Sequence, residues 1–476
     1  MTIPVTPIYS APRMDQTGSD KIAKHYQRGL PLITGLALAA MGGGLGLILQ
    51  PSSQSLLFWL GVIAVLGGLI WASLAAWLPQ GPVLRFVGWL TGNLIVFTLM
   101  LGLAEGGFRL AGVNFNNLTG QTDDPRAHYP LCLRMPDRPL GEIYFTRAGP
   151  LTWTGRPLST FLKINHGTDS AYEDEAEFTA HYDANGFRNP NDQTDWQAVV
   201  VGDSFTESGA LPYEQIFTTV AAQGSGTSIR NLGVCNTGTL AHLEYLRRFG
   251  KGPSTHRAIL AFYEGNDILD TEEEQSHLQQ YRDSGWRPDR TPRPQTSLIK
   301  ASYQVAKHLI SRTPAIRYQN AWLTTATPEI PITIRGAPMP LDPESFSSAQ
   351  KALLDDVIHQ WAQTCTRLEL EPWLLYIPAN NRTYHGLVRF TPDAEATLRE
   401  WQPGTLPTYM QELCTRQNIH FINAYPVLRN SAESGSLVYN RILDTHLNQE
   451  GSRLIGELLA KHLSDAKTGS LEKTRP

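Results

Sequence analysis

The sequence predicts an α/β domain, a parallel sheet between two layers of helices, carried behind a bundle of three transmembrane helices. Short apolar runs such as Val199-Val200-Val201 and Ala258-Ile259-Leu260-Ala261-Phe262 read as strands buried on both faces, as parallel strands do. These runs alternate with helical candidates across residues 181–265 and again beyond 343, the pattern of strand–helix–strand units. Residues 31–49, 56–78 and 86–104 are apolar stretches without one charged side chain, each close to the roughly 20 residues that cross a hydrocarbon core.

In chain order, residues 1–30 form a polar tail whose Lys21, Lys24 and Arg28 precede the first span, which favours a cytoplasmic N-terminus. Three crossings over 31–104 then place everything after Ala104 outside the cytoplasm. The expected location is therefore the cell membrane, multi-pass, with the α/β domain on the periplasmic side. Residues 105–180, punctuated by Pro, Gly and Asp, read as a linker or small subdomain.

The α/β domain spans 181–466. After the first strand come helices over Tyr213–Ala222 and Leu240–Phe249, and the strand at Ala258 lies beyond them. An irregular insertion occupies about 270–343, with Arg and Pro runs and an amphipathic candidate at Ser297–Ser311. The alternation resumes with a helix over Ser348–Leu368, a strand over Trp373–Pro378, a helix over Leu406–Gln417 and a strand over Ile419–Ala424. A last helix follows to about His462, and 467–476 read as a polar tail.

Composition excludes several functions. In 476 residues, 40 Lys and Arg face 44 Asp and Glu, and with no basic tract no nucleic-acid partner is expected. No phosphate-cradling P-loop occurs, and His242, His256, His359, His385 and His420 show no metal-ligand spacing, so neither metal nor cofactor is expected. The apolar stretches hold no ionisable group, which argues against transport. Cys132, Cys235, Cys365 and Cys414 are too few for a disulfide scaffold and leave one bridge or buried thiols open.

Four segments carry chemistry. The first strand breaks into Gly202-Asp203-Ser204, which puts the Ser204 hydroxyl at the carboxyl edge of the sheet, where open α/β folds keep ligands. Ile229-Arg230-Asn231-Leu232-Gly233 ends a second strand on glycine, and Gly265-Asn266-Asp267 ends a third. Asp444-Thr445-His446 precedes the last helix. A serine becomes a nucleophile when an imidazole takes its proton and a carboxylate fixes the imidazole tautomer. The oxyanion then needs fixed donors, which the Ser204 N–H, the Gly233 N–H and the Asn266 amide offer. Asp203 and Asp267 read as turn or helix caps.

These blocks, in this order over roughly 180–465, resemble the SGNH (GDSL-type) hydrolase family. The resemblance implies a three-layer α/β/α fold with Ser204 as nucleophile, His446 as base and Asp444 as its orienting carboxylate. Ser204, Gly233 and Asn266 would form the oxyanion hole. The family's last block is most often Asp-x-x-His; Asp-x-His here resembles a subset of bacterial envelope members, as does Tyr182-Asp183-Ala184-Asn185-Gly186-Phe187-Arg188 ahead of the domain. The resemblance implies a membrane-anchored esterase acting on acyl esters of surface polysaccharide, glycolipid or lipid. An O-acyltransferase would use the same residues, and a non-catalytic carbohydrate-binding or scaffold protein could retain the fold.

Overall fold

The structure is a computed structural model that describes Gly81 and residues 137–159, 175–190, 193–287, 319–334, 343–398, 401–442 and 444–473. The three expected spans, the 1–30 tail and the Ser297–Ser311 candidate lie outside these residues. Among the described residues no helix is long and apolar enough to cross a membrane. The account below concerns the larger of two compact units, which holds the α/β fold.

Five strands form the central sheet: β1 (Ala198–Gly202), β2 (Ile229–Gly233), β3 (Arg257–Tyr263), β4 (Glu371–Ile377) and β5 (His420–Asn423). Their order is β2-β1-β3-β4-β5, and every neighbouring pair is parallel. Every residue of β1 and β3 is buried, which accounts for their apolar runs.

Among the helices that connect and cover the strands are α1 (Ser204–Glu207), α2 (Phe217–Ser225), α3 (Thr239–Phe249), α4 (Asp267–Ser284), α5 (Ser348–Arg367), α6 (Leu406–Arg416) and α7 (Gln449–Lys473). Right-handed crossovers dictate their layers. The step from β1 to β2 runs opposite to those from β2 to β3, β3 to β4 and β4 to β5, so its helix α2 must lie on the other face. Accordingly α2 packs on α7, while α3 packs on α4 and α5, and α5 on α6. The result is three layers.

Local chemistry sets the ends of α5. Ser347 accepts the Gln350 N–H at 3.1 Å while Gln350 accepts the Ser347 N–H at 2.9 Å, a reciprocal capping box. Its inward stripe of Leu353, Leu354, Val357, Ile358, Trp361 and Cys365 recurs at helical spacing. Trp361 is fully buried, and truncating it to alanine would cost about 3–5 kcal/mol.

The segment expected as a linker or small subdomain contains two antiparallel pairs, Asp137–Leu140 with Tyr144–Arg147 and Leu151–Gly155 with Phe178–Tyr182. Two regions differ from expectation. The region expected as irregular from 270 begins inside α4, which runs to Ser284, and it later contributes Ala321–Leu323 and Ile330–Ile332 to a three-stranded antiparallel sheet with Val388–Phe390. The last helix continues to Lys473, past the expected start of a polar tail.

The strand order decides where a site can form. With β2 at the edge beyond β1 and the later strands on the other side, the winding reverses between β1 and β3, the switch point at whose carboxyl ends such folds open a crevice. Ser204 follows β1 and Asn266 follows β3.

Candidate active site

Ser204 is the first residue of α1, a single turn set by its own N-cap. The Asp203 carboxylate accepts the Phe205 N–H at 2.9 Å, and the Asp203 carbonyl accepts the Glu207 N–H at 2.9 Å. Ser208, with φ 48°, ends the turn in the left-handed region. Being first in the helix, the Ser204 N–H has no intrahelical acceptor.

The Ser204 hydroxyl lies 2.7 Å from His446 Nε2, and His446 Nδ1 lies 2.5 Å from Asp444 Oδ1. An acceptor carboxylate at Nδ1 places the proton there, which leaves Nε2 to accept from the serine. The Asp-x-His spacing has a local cause. Asp444 Oδ1 also accepts the His446 backbone N–H at 2.8 Å, an Asx-type turn that brings the carboxylate round to the ring of the residue two positions on. Asn440 Nδ2 donates to the other carboxylate oxygen at 3.3 Å.

Burial pushes the Asp444 carboxyl upward, but the facing His446 charge and the hydrogen bonds from His446 and Asn440 outweigh it, holding Asp444 below the usual carboxylate range. The loop that carries the pair is pinned to the sheet. Tyr439 OH donates to the Pro378 carbonyl at 2.7 Å, and Tyr384 OH accepts the Val438 N–H at 2.9 Å. The His446 ring rests near Phe205, with ring centroids 4.9 Å apart, and Phe205 stacks on Tyr263 at 3.6 Å.

Asp203 is fully buried, its second oxygen 3.4 Å from the Ser204 hydroxyl. Burial lifts its carboxyl to about 6, against the opposing pull of the Phe205 N–H, His446, Asn266 and Ser204. Asp267 closes the turn after β3 by accepting the Tyr263 N–H at 2.9 Å. Burial, then the neighbouring Asp203 charge, push Asp267 well above the ordinary range.

The expected oxyanion donors are arranged differently from one another. Asn266 sits at the N-cap position of α4 beside Asp203, and its Nδ2 donates to Asp270 at 2.6 Å. The same amide also hydrogen-bonds the Asp203 carboxylate, so Asn266 is held between two acidic side chains. Gly233 requires a correction. Its N–H donates to Asn231 Oδ1 at 2.8 Å and is already engaged. What glycine provides there is space, because a Cβ would fall 2.2 Å from the Glu207 nitrogen in the turn that carries Ser204.

Several contributors were invisible to sequence reasoning. Asn231 bridges the site by accepting from Gly233 and donating to the Thr206 carbonyl at 2.7 Å. Asn440 and Asp270 support expected residues, and the only sequence signal for either is its four-residue spacing from Asp444 or Asn266. Beside Asp270 a cavity of about 300 Å³ is lined by Tyr144, Phe145, Asn236, Glu273, Glu274 and His277 among others. Cys235, just after β2, is disulfide-bonded. Cys365 and Cys414 are buried free thiols, pushed up to about 12 by burial. Among the described residues no group of three or more His, Cys, Asp or Glu side chains is placed to hold a metal ion.

No family model matches the chain. No curated protein matches it either. Solved structures do. A protein from Desulfitobacterium hafniense, provisionally assigned to the G-D-S-L lipolytic family, is 14% identical, with 56% of this chain and 99% of that one covered and a TM-score of 0.28. A carbohydrate esterase family 2 enzyme with its carbohydrate binding domain from Corynascus thermopiles is 12% identical, with 61% and 71% covered and a TM-score of 0.31. Phospholipase A1 from Streptomyces albidoflavus is 11% identical, with 56% and 99% covered and a TM-score of 0.30. At such scores the chemistry of this chain rests on its own residues.

Proposed function

We propose that this protein is a serine esterase of the SGNH type that works through an acyl-enzyme at Ser204. The observation that carries the reading is the continuous relay from the Ser204 hydroxyl through His446 to a buried, ionised Asp444. As Ser204 Oγ attacks an ester carbonyl, its proton passes to His446 Nε2, and Asp444 stabilises the imidazolium that forms. The Ser204 N–H and the Asn266 amide are the proposed oxyanion donors, and each such donor is worth about 3–4 kcal/mol of barrier. Collapse expels the alcohol, protonated by His446, and leaves the acyl group on Ser204. His446 then deprotonates water, which releases the acid and regenerates the serine. A hydroxyl in place of that water would make the same residues an acyltransferase. A purely binding protein would have no use for a serine hydroxyl aligned on an imidazole.

The finer reading is an enzyme anchored by the apolar stretches at 31–49, 56–78 and 86–104 that faces the periplasm. A disulfide at Cys235 supports an oxidising compartment. Acyl esters of surface polysaccharide, glycolipid or lipid are the proposed substrates. The test is acid release by the full-length chain from O-acetylated polysaccharide and from phospholipid vesicles, beside Ser204→Ala. Release of acetate from the polysaccharide, absent in the variant, is expected. Turnover of neither ester class would contradict the esterase reading.

A further inference from the structure

Resting on that reading, the segment ahead of the sheet supports a further one. Glu207 ends α1 three residues after Ser204 and is 1% exposed. Its carboxyl group accepts from three separate segments. Arg147, in the first antiparallel pair, donates through Nε at 3.3 Å and Nη2 at 3.2 Å. The Tyr182 hydroxyl, in the second pair, donates at 2.8 Å, and the Cys235 N–H, in the loop after β2, at 2.5 Å. Burial foremost, then the neighbouring Glu207, push the Tyr182 phenol well above its ordinary value and keep it a donor.

The Asn185-to-Asn189 segment closes the same clamp. Asp183 accepts the N–H groups of Asn185 at 2.8 Å and Phe187 at 3.1 Å, forming a tight turn. Gly186 sits at φ 85°, where a Cβ would fall 1.8 Å from the Arg147 carbonyl oxygen, so only glycine lets the turn lie on that strand. Arg188 Nη1 donates to the Ser208 carbonyl at 2.6 Å, capping the end of the serine turn. Asn189 exchanges hydrogen bonds with the Asn231 backbone, both at 2.8 Å.

A buried ion pair adds little net stability relative to well-packed apolar residues, so stability alone does not account for one placed here. Geometry does, since a displacement of about 1 Å in a reacting group costs about a hundredfold in rate. We propose that Glu207 is a positioning residue: gripped by Arg147 and Tyr182, it sets the Ser204 turn against the Cys235 loop and makes the two antiparallel pairs part of the catalytic unit.

The test uses the full-length chain, with thermal melting to establish folding and fluorophosphonate inactivation to separate the limiting rate, kinact, from the binding constant, KI. Glu207→Gln and Arg147→Ala are expected to lower kinact about tenfold or more while KI changes about twofold at most. Arg147→Lys, which cannot reproduce the fork to both carboxylate oxygens, is expected to stay at least about fivefold below wild type, and Tyr182→Phe to lose about two- to fivefold. Folded variants that react at the wild-type kinact, whatever their melting temperature, would overturn the proposal. Should Glu207→Gln and Arg147→Ala fail to fold, Tyr182→Phe and Arg147→Lys decide it by the same reading. A folded wild-type chain that takes no label at Ser204 would instead sink the esterase reading beneath it.

Discussion

The two halves of the site are prepared to different degrees. On the proton-relay side, Ser204, His446 and Asp444 stand in hydrogen-bonding order before any substrate arrives. On the oxyanion side only the Ser204 N–H is left by its own helix, while the Gly233 N–H is taken by Asn231 and one Asn266 hydrogen by Asp270. The relay can be preassembled because its members satisfy one another. Oxyanion donors have no partner until the transition state, and in the resting protein buried polar groups find other acceptors. The Asn266 amide is engaged by Asp270 and Asp203 and the Gly233 N–H by Asn231, so either would have to change partner to meet an oxyanion.

This asymmetry orders the effects of mutation. Asp444→Asn keeps the shape of the relay but reverses the hydrogen-bond polarity at Nδ1, and kcat should fall about 10⁴-fold with KM nearly unchanged. Steady-state kinetics on a soluble ester measures it, and a loss under about tenfold would mean that another carboxylate orients His446. Asn266→Ala should cost less, about 10²–10³-fold in kcat, as one donor does. If the Ser204 N–H alone sufficed, that variant would retain nearly full activity.

The smallest effect concerns the two buried carboxylates beside the serine, which respond to pH in opposite directions. Asp203 is raised to about 6, so its contribution to stability is present below the unfolded value of about 3.9 and is lost as pH rises through about 6. Asp444 is lowered, so its contribution is present above about 3.9 and is lost as pH falls through its folded value. Asp203→Asn keeps the acceptor for the Phe205 N–H and removes only the first response. Its melting temperature relative to wild type should therefore climb between pH 4 and pH 8, whereas a difference independent of pH would contradict the assignment.

What could be read in the sequence follows from locality. The strands were legible because a parallel strand buried on both faces has no polar residues to disguise it, as in β1 and β3. Ser204, Asn266 and the Asp444–His446 pair were legible because strand ends and a turn place them. Gly233 was legible as a glycine but not in its role, since close approach to a ligand and close approach to the Glu207 backbone leave the same residue. Helix α4 escaped because Ile268 is its one buried apolar residue, so no apolar period marks it. The grip of Arg147 and Tyr182 on Glu207 joins residues 60 and 25 positions apart, and no local pattern encodes such a pairing. The antiparallel pairs escaped likewise, being short strands held by partners they meet only in the fold.

The claim at the centre is that Ser204 is activated by His446. Treating the full-length chain with a fluorophosphonate and mapping the adduct by mass tests it most directly. The relay predicts a single adduct on Ser204, absent in Ser204→Ala and formed about 10³-fold or more slowly in His446→Ala. A folded chain that takes no adduct, or labels as fast without His446, would contradict it.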